Sequence, residues 1–347
     1  MPPGTTERLS GAAGLRRAAE ILRTGGMVAF PTETVYGLGA NALDPLAVFR
    51  IFAAKERPSW DPIIVHVCNN EMVRQVAEVS PEAKKLINAF WPGPLTLLLP
   101  RTTAVPDAVT ADRPLVGVRM PKHPLALELI QNAGIPIAAP SANRFGRTSP
   151  TTAFHVLEDL DGRIDAILDG GPTNVGVEST VIGPSGEGHG WTMYRPGGVS
   201  KEALESVCGI GMVQQFQPAQ PTSAPASLPS PGVGIRHYAP RARLVLVPNI
   251  SRFRGPSGMA LVAAIDNANQ PGQKIAVMLP DEWNPSSAEL IYPWGPWGDG
   301  ETLARRLFAG LRELDEAGAS VIVCPVPEMG GIGEAIRDRL KKAARET

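Results

Sequence analysis

Residues 135–150, IPIAAPSANRFGRTSP, pass within one residue from an apolar strand to small polar groups: Ser141, Asn143, Arg147, Thr148 and Ser149. Pro140 has no N–H to give to a strand ladder, so pairing stops there. Ala138, Ala139, Ala142 and Gly146 leave room for a ligand to lie against the backbone. An ordinary polar turn would use the same residue types, since Ser and Asn are common turn formers. A second group is Lys55-Glu56-Arg57, two cations flanking one residue at the end of an apolar helical stretch. Such a pair suits the negative end of a helix dipole. It also suits an anion: Arg grips two oxygens in a fork, while Lys acts as a point charge. Arg119 and Arg195 each end a strand-like run, and Arg236-His237-Tyr238 place a cation, a titratable ring and an aromatic hydroxyl in a row. His66 sits in IIVHV, an apolar strand where a lone histidine is usually a satisfied core residue. No Ser-His-Asp set or acid pair stands out. These residues alone leave turn formation, a helix-end cation pair and an anion site all open.

The elements that must position these groups alternate along the chain. Helices are expected over 15–23, 45–54, 72–77, 81–90, 124–132 and 201–207, from apolar residues at helical spacing. Strands are expected over 27–30, 63–67, the end of 91–100, 115–119, 135–139, 164–168, 176–183 and 191–194. The stretch PTETVYGLGANAL, 31–43, reads as a polar, glycine-bearing connection holding Thr32. Residues 211–240 are rich in Pro, Ser, Ala and Gln with little charge, which is linker composition. The GVGIRHYAP at its end is not, because a bare tether needs no Arg236, His237 or Tyr238. Beyond 243 a small, mostly parallel α/β domain is expected: strands at 244–247, 260–265, 275–279, near 290 and at 321–324, with helices at 302–317 and 333–344. It shows no phosphate loop.

With 347 residues the chain suggests about two domains. Hydrophobic residues at 43% and charged residues at 19% permit a packed core and argue against wholesale disorder. A net charge of −1 excludes a chain-wide polyanion binder but not a local basic groove. Cys68, Cys208 and Cys324 lie far apart without a CxxC, which fits a reducing compartment and gives no zinc site. The N-terminal residues lack an apolar signal core, and no apolar run approaches the ~20 residues of a membrane span. A cytoplasmic location is expected, with no membrane partner.

PTETVYGLGA at 31–40, AKERP at 54–58, WPGPLT at 91–96, VRMP at 118–121, PIAAPSAN at 136–143, GVEST at 176–180 and YRPG at 194–197, in that order, resemble the YrdC family. With HYAP and a following α/β domain, the chain is similar to the family's two-domain form. The resemblance implies a YrdC-like open twisted α/β sheet with a basic concave cavity over 13–208. It also implies a linker over 209–241 and a small Rossmann-like α/β domain over 242–347. The activity it implies is that of a nucleotidyltransferase making L-threonylcarbamoyladenylate and pyrophosphate from L-threonine, bicarbonate and ATP. That product would feed threonylcarbamoyladenosine modification of tRNA beside the anticodon, through a downstream transferase complex. Direct contact with tRNA is possible on this reading but not required.

The resemblance assigns roles residue by residue. The Lys-x-Arg and Ser-x-Asn signatures fall on Lys55, Arg57, Ser141 and Asn143, as catalytic and ATP-binding groups. Ser59, Ser149, Arg195, Arg236 and His237 are the further ATP-binding candidates. Thr32, His66, Arg119, Ala139 and Ser179, with Thr180 beside them, are the threonine-binding candidates, and Arg119 is our choice for the carboxylate. Mg2+ is expected with ATP, held mainly by phosphates and water, so no protein metal ligand is assigned. Arg236-His237-Tyr238 are expected to act as a lid that excludes water. Two other readings stay open: a carbamoyl-adenylate enzyme with a different acceptor, and an RNA-binding module. The second is weakened by the net charge and the lack of an RNA-recognition signature.

Overall fold

The computed structural model describes residues 4–186, 190–217, 228–230, 237–248, 256–283 and 288–344. They divide into two units, of which the first is Met1–Phe145, Ser149–Asn174 and Glu178–Gly234.

In the first unit an 11-stranded sheet runs Glu7–Leu9, Ala166–Leu168, Val28–Pro31, Tyr36–Asn41, Ile137–Ala138, Ile64–His66, Leu115–Arg119, Leu95–Pro100, Thr180–Pro184, Trp191–Arg195, Val213–Gln215. The sheet is mixed. Val28–Pro31 and Tyr36–Asn41 form an antiparallel hairpin, whereas Ile64–His66 and Leu115–Arg119 run parallel with His66 opposite Arg119. Its core includes Leu22, Phe30, Leu38, Ile51, Leu86 and Leu95, each fully buried.

The second hairpin strand was not expected, because Gly37 and Gly39 have low strand propensity. Packing accounts for one of them: a Cβ at Gly39 would lie 2.8 Å from Ile137 Cγ2 and 2.8 Å from Phe30 Cε1. The short strand Glu7–Leu9 and the helix Ala153–Leu160 were also not expected. The linker reading began too early, since Val213–Gln215 pairs in parallel with Trp191–Arg195 at the sheet edge. Leu228 is also buried, its N–H bonded to Trp60 O at 2.9 Å.

Helix Pro45–Lys55 is bounded locally. The Asp44 side chain accepts from Leu46 N, and Pro45 fills the first turn, where no N–H is needed. It stops at Glu56, whose left-handed φ of 56° lets Glu56 N reach Ala53 O and Arg57 N reach Phe52 O. This ending leaves Lys55 buried and sends Arg57 back toward Asp61.

The second unit is Gly146–Thr148, Val175–Val177 and Ile235–Thr347. Its four-stranded sheet is wholly parallel, in the order Arg243–Val247, Val321–Pro325, Ile275–Leu279, Leu290–Pro293. This is the small α/β domain the sequence led us to expect, with one correction. Residues 260–265 are not a strand but part of the helix Pro256–Ala268. Leu261, Ile265 and Ala268 are its buried positions, a helical spacing that an apolar run of five or six residues cannot distinguish from a strand.

The turn after Trp191–Arg195 lies directly on the chain at Ser179. A Cβ on Gly197 would sit 2.3 Å from both Ser179 C and Thr180 N. Backbone cannot swing aside as a side chain can. Gly197→Ala is therefore expected to destabilise the first unit by about 1–3 kcal/mol. Urea unfolding of the two proteins measures this, and an unchanged midpoint would contradict the packing.

Candidate active site

Four of the expected groups meet around the end of helix Pro45–Lys55. Lys55 Nζ donates to Ser141 O at 2.7 Å and to the carbonyl of Asn143. The polar stretch after Ile137–Ala138 is thereby tied to the Lys-x-Arg turn, 86 positions away in sequence. Lys55 is 1% exposed, and its pKa is pushed well below the usual lysine value by burial and then by Arg57. The Arg57 guanidinium is itself buried, pairing with Asp61 at 2.9 Å and donating to Pro62 O at 2.7 Å. Asn143 donates to Arg144 O at 2.9 Å. Ser141 is half-buried and pairs antiparallel with Gly37.

A second group forms where the hairpin turn meets the end of Leu115–Arg119. Thr32 Oγ1 donates to Val35 O at 2.7 Å and accepts from Thr34 N at 3.2 Å, so one side chain fixes the turn. Arg119 Nη1 donates to Thr34 Oγ1 at 3.0 Å, and Nε donates to Gly93 O at 3.2 Å. Arg119 Nη2 lies 2.7 Å from Glu33 Oε1, with both side chains buried. The surface ion pair that was the plain alternative for Arg119 is thus replaced by an interior one. His66 sits opposite Arg119, its ring 6.0 Å from that of Phe30 and edge-on to it. Burial first, and Arg119 second, pull its pKa down to about 3, so the ring is neutral at pH 7. Ala139 is buried beside it, its N–H on Ile64 O at 2.9 Å.

The third group lies on the neighbouring strands. Arg195 Nε donates to Ser179 O and Nη2 to Ser179 Oγ, both at 3.1 Å. Ser179 Oγ also meets Thr96 Oγ1 at 2.8 Å. The turn Trp91–Pro94 joins this group to the second: Gly93 O takes Arg119 Nε, and Pro94 O takes Thr180 N at 3.0 Å.

Some candidates stand elsewhere. The Thr180 hydroxyl is spent on the backbone, donating to Val199 O at 2.6 Å and accepting from Val199 N at 2.9 Å. Ser149 is fully buried, donating to Glu178. Ser59 is exposed in the turn after helix Pro45–Lys55. Arg236 falls outside the described residues. His237 and Tyr238 belong to the second unit, where both are buried. There Tyr238 stacks on Phe308 at 5.7 Å, Tyr238 O accepts from Thr148 Oγ1, and Ala239 N donates to Gly146 O at 2.9 Å. Glu33, Thr34 and Thr96 were not singled out from sequence. PTET and PLT read as turn and strand, and only packing brings those side chains to the cations.

No group of three or more His, Cys, Asp or Glu among the described residues could hold a metal ion. No described helix is long and apolar enough to cross a membrane.

Comparison with known proteins matches residues 20–197 to the Sua5–YciO–YrdC family model, described as Telomere recombination. Residues 199–345 match the Threonylcarbamoyl-AMP synthase, C-terminal domain, model. The chain is 43% identical over 337 residues to a threonylcarbamoyl-AMP synthase of Pyrococcus abyssi, covering 95% of this chain and 94% of that one. It is 43% identical over 333 residues to the enzyme of that name from Bacillus subtilis, covering 95% and 92%. The crystal structure of P. abyssi Sua5 complexed with L-threonine superposes with a TM-score of 0.88 at 40% identity, covering 98% of each chain.

The buried neutral His66 has a pH signature. Its pKa is depressed from 6.5 to about 3 in the folded chain, so the unfolded chain binds more protons between those values. Stability is then fully present above pH 6.5 and falls as pH drops through the window, by up to about 1.4 kcal/mol per unit. Between pH 7 and pH 5, wild type should lose about 2 kcal/mol more than His66→Gln in chemical denaturation. Parallel losses would contradict the buried, neutral ring.

Proposed function

Because this chain belongs to the two-domain threonylcarbamoyl-AMP synthases of the Sua5–YciO–YrdC family, we propose that it joins L-threonine, bicarbonate and ATP into threonylcarbamoyl-AMP, releasing pyrophosphate. The observation that carries this is the end-to-end similarity to enzymes of that name, one of them solved with L-threonine. The geometry supports it in a second way. The site gathers buried cations and hydrogen-bond donors but no nucleophile–base pair, which suits phosphoryl chemistry driven by positioning and charge neutralisation.

In the proposed reaction the threonine amine takes up bicarbonate to give a carbamate. A carbamate oxygen attacks the α-phosphorus of ATP, and pyrophosphate leaves. Lys55, Arg57 and Arg195 neutralise the charge that develops on the phosphates, with Ser141 and Asn143 as hydrogen-bonding partners. Lys55 has a specific place in this. Its ammonium is disfavoured by burial, and a phosphate oxygen beside it would favour the charged form again. Thr32, His66, Arg119, the Ala139 backbone and Ser179 form the threonine pocket on this reading. Thr180, tied to Val199, braces Ser179 rather than contacting substrate. Ser59 is a further nucleotide contact carried over from the family. The magnesium ion is part of the substrate MgATP. The product would serve threonylcarbamoyladenosine formation in tRNA through a separate transferase.

Pyrophosphate release from MgATP is expected to require both threonine and bicarbonate. Lys55→Ala should lower it at least about 100-fold, as the loss of a preorganised charge contact does. Ser141→Ala, which leaves the carbonyl that holds Lys55 in place, should cost about 10-fold through one lost hydrogen bond. ATP turnover indifferent to threonine would point to a different acceptor and overturn the reading.

A further inference from the structure

We propose that Glu33 and Arg119 together receive the two charged ends of the amino-acid substrate. Arg119 takes the carboxylate; Glu33 takes the ammonium group and then one of its protons. The proposal rests on the functional reading above for its substrate class and assigns a residue that reading left without a role.

The first ground is hydrogen-bond capacity left unspent in a buried place. Glu33 and Arg119 side chains are 7% and 4% exposed. Glu33 Oε1 lies 2.7 Å from Arg119 Nη2, but the contact is not aligned as a hydrogen bond. Neither carboxylate oxygen of Glu33 accepts a hydrogen bond, and Nη2 donates none, among the described residues. Buried charged groups are normally satisfied, so a pair with spare acceptors facing a spare donor is incomplete.

The second ground is that the remainder of the pair is held still. Arg119 Nε and Nη1 are fixed on Gly93 O and Thr34 Oγ1. Glu33 sits in a turn pinned by the Thr32–Thr34 hydroxyl contact at 2.8 Å. Within the ion pair, only Nη2 and the Glu33 carboxylate keep hydrogen-bonding capacity unspent, and they face each other. The neighbouring rings do not compete for the role. His66 is neutral opposite Arg119, and burial lowers the pKa of His123, whose Nδ1 has no hydrogen-bond partner, with Glu33 only partly opposing that shift.

A zwitterion is the ligand this arrangement fits. It opens one ion pair and makes two, leaving no buried charge alone. A plain carboxylic acid would take Arg119 and strand Glu33; a plain amine would do the reverse. The same contact serves the chemistry, because an ammonium has no lone pair. One N–H proton passes from the ammonium to the Glu33 carboxylate. The freed lone pair forms the N–C bond at the bicarbonate carbon. The C–OH bond of bicarbonate breaks, and its hydroxide leaves as water with the second N–H proton. A carbamate, one water and protonated Glu33 result, with net charge conserved.

The test is a binding cycle by calorimetry on the full chain. L-threonine is compared with (3R)-3-hydroxybutanoate, which is threonine without its amine, on wild type and on Glu33→Gln. Wild type should prefer threonine, and Glu33→Gln should shrink that preference by about 10- to 100-fold, the worth of a charged hydrogen bond. The ratio cancels any general effect of loosening Arg119. Glu33→Asp, which keeps the charge, should restore part of the preference and guards against misfolding as the cause. An unchanged ratio in Glu33→Gln would overturn the receptor role while leaving the functional reading intact. Wild type that fails to bind threonine would overturn both. At saturating threonine, pyrophosphate release by Glu33→Gln should fall at least about 100-fold; an unchanged rate would overturn the proton transfer.

Discussion

A lysine ammonium placed out of water must be given oxygens, and the first unit is arranged around that requirement. Lys55 closes its helix inside the protein and finds Ser141 O and Asn143 O. Those bonds do more than satisfy the charge. They hold the loop after Ile137–Ala138 against the Lys-x-Arg turn, although the two are far apart in sequence. Residues on both sides inherit their positions from them. A left-handed residue at Glu56 makes this possible by ending the helix at that point.

The other cations follow the same logic with different partners. Arg57 is held by Asp61 and by Pro62 O, Arg195 by both oxygens of Ser179, and Arg119 by Thr34, Gly93 and Glu33. Fixing a guanidinium before substrate arrives is what lets it act without reorganisation during reaction. The turn Trp91–Pro94 shares its carbonyls between Arg119 and Thr180, so both are anchored through one piece of backbone.

The electrostatic balance fits the proposed adenylation step, which needs no acid–base pair. Burial keeps His66 neutral and lowers the pKa of Lys55. A site of this kind is poor at shuttling protons and good at holding phosphates and carboxylates. On our proposal the one proton the reaction must lose falls to Glu33, the acidic group paired with Arg119.

Much of this was legible in the chain alone. The apolar periodicity of 45–54, 81–90 and 124–132 located helices to within a residue or two, because burial of one face dictates that spacing. The family resemblance at 54–58 and 136–143 put forward Lys55, Arg57, Ser141 and Asn143 as a set, and the fold brings Lys55 onto the carbonyls of Ser141 and Asn143. Sequence failed where long-range packing overruled local preference. Gly37 and Gly39 concealed a strand, and an apolar run at 260–265 looked extended when it was helical. It also could not say which polar residues were free. Thr180, a weaker candidate, and Ser149, an edge candidate, carried hydroxyls whose partners only the fold shows: Val199 for one and Glu178 for the other. Glu33 passed as a turn residue because its significance lies in Arg119, 86 positions later, and a contact of that span is decided only when the sheet forms. Residue chemistry is written locally, whereas burial and partnership belong to the folded chain.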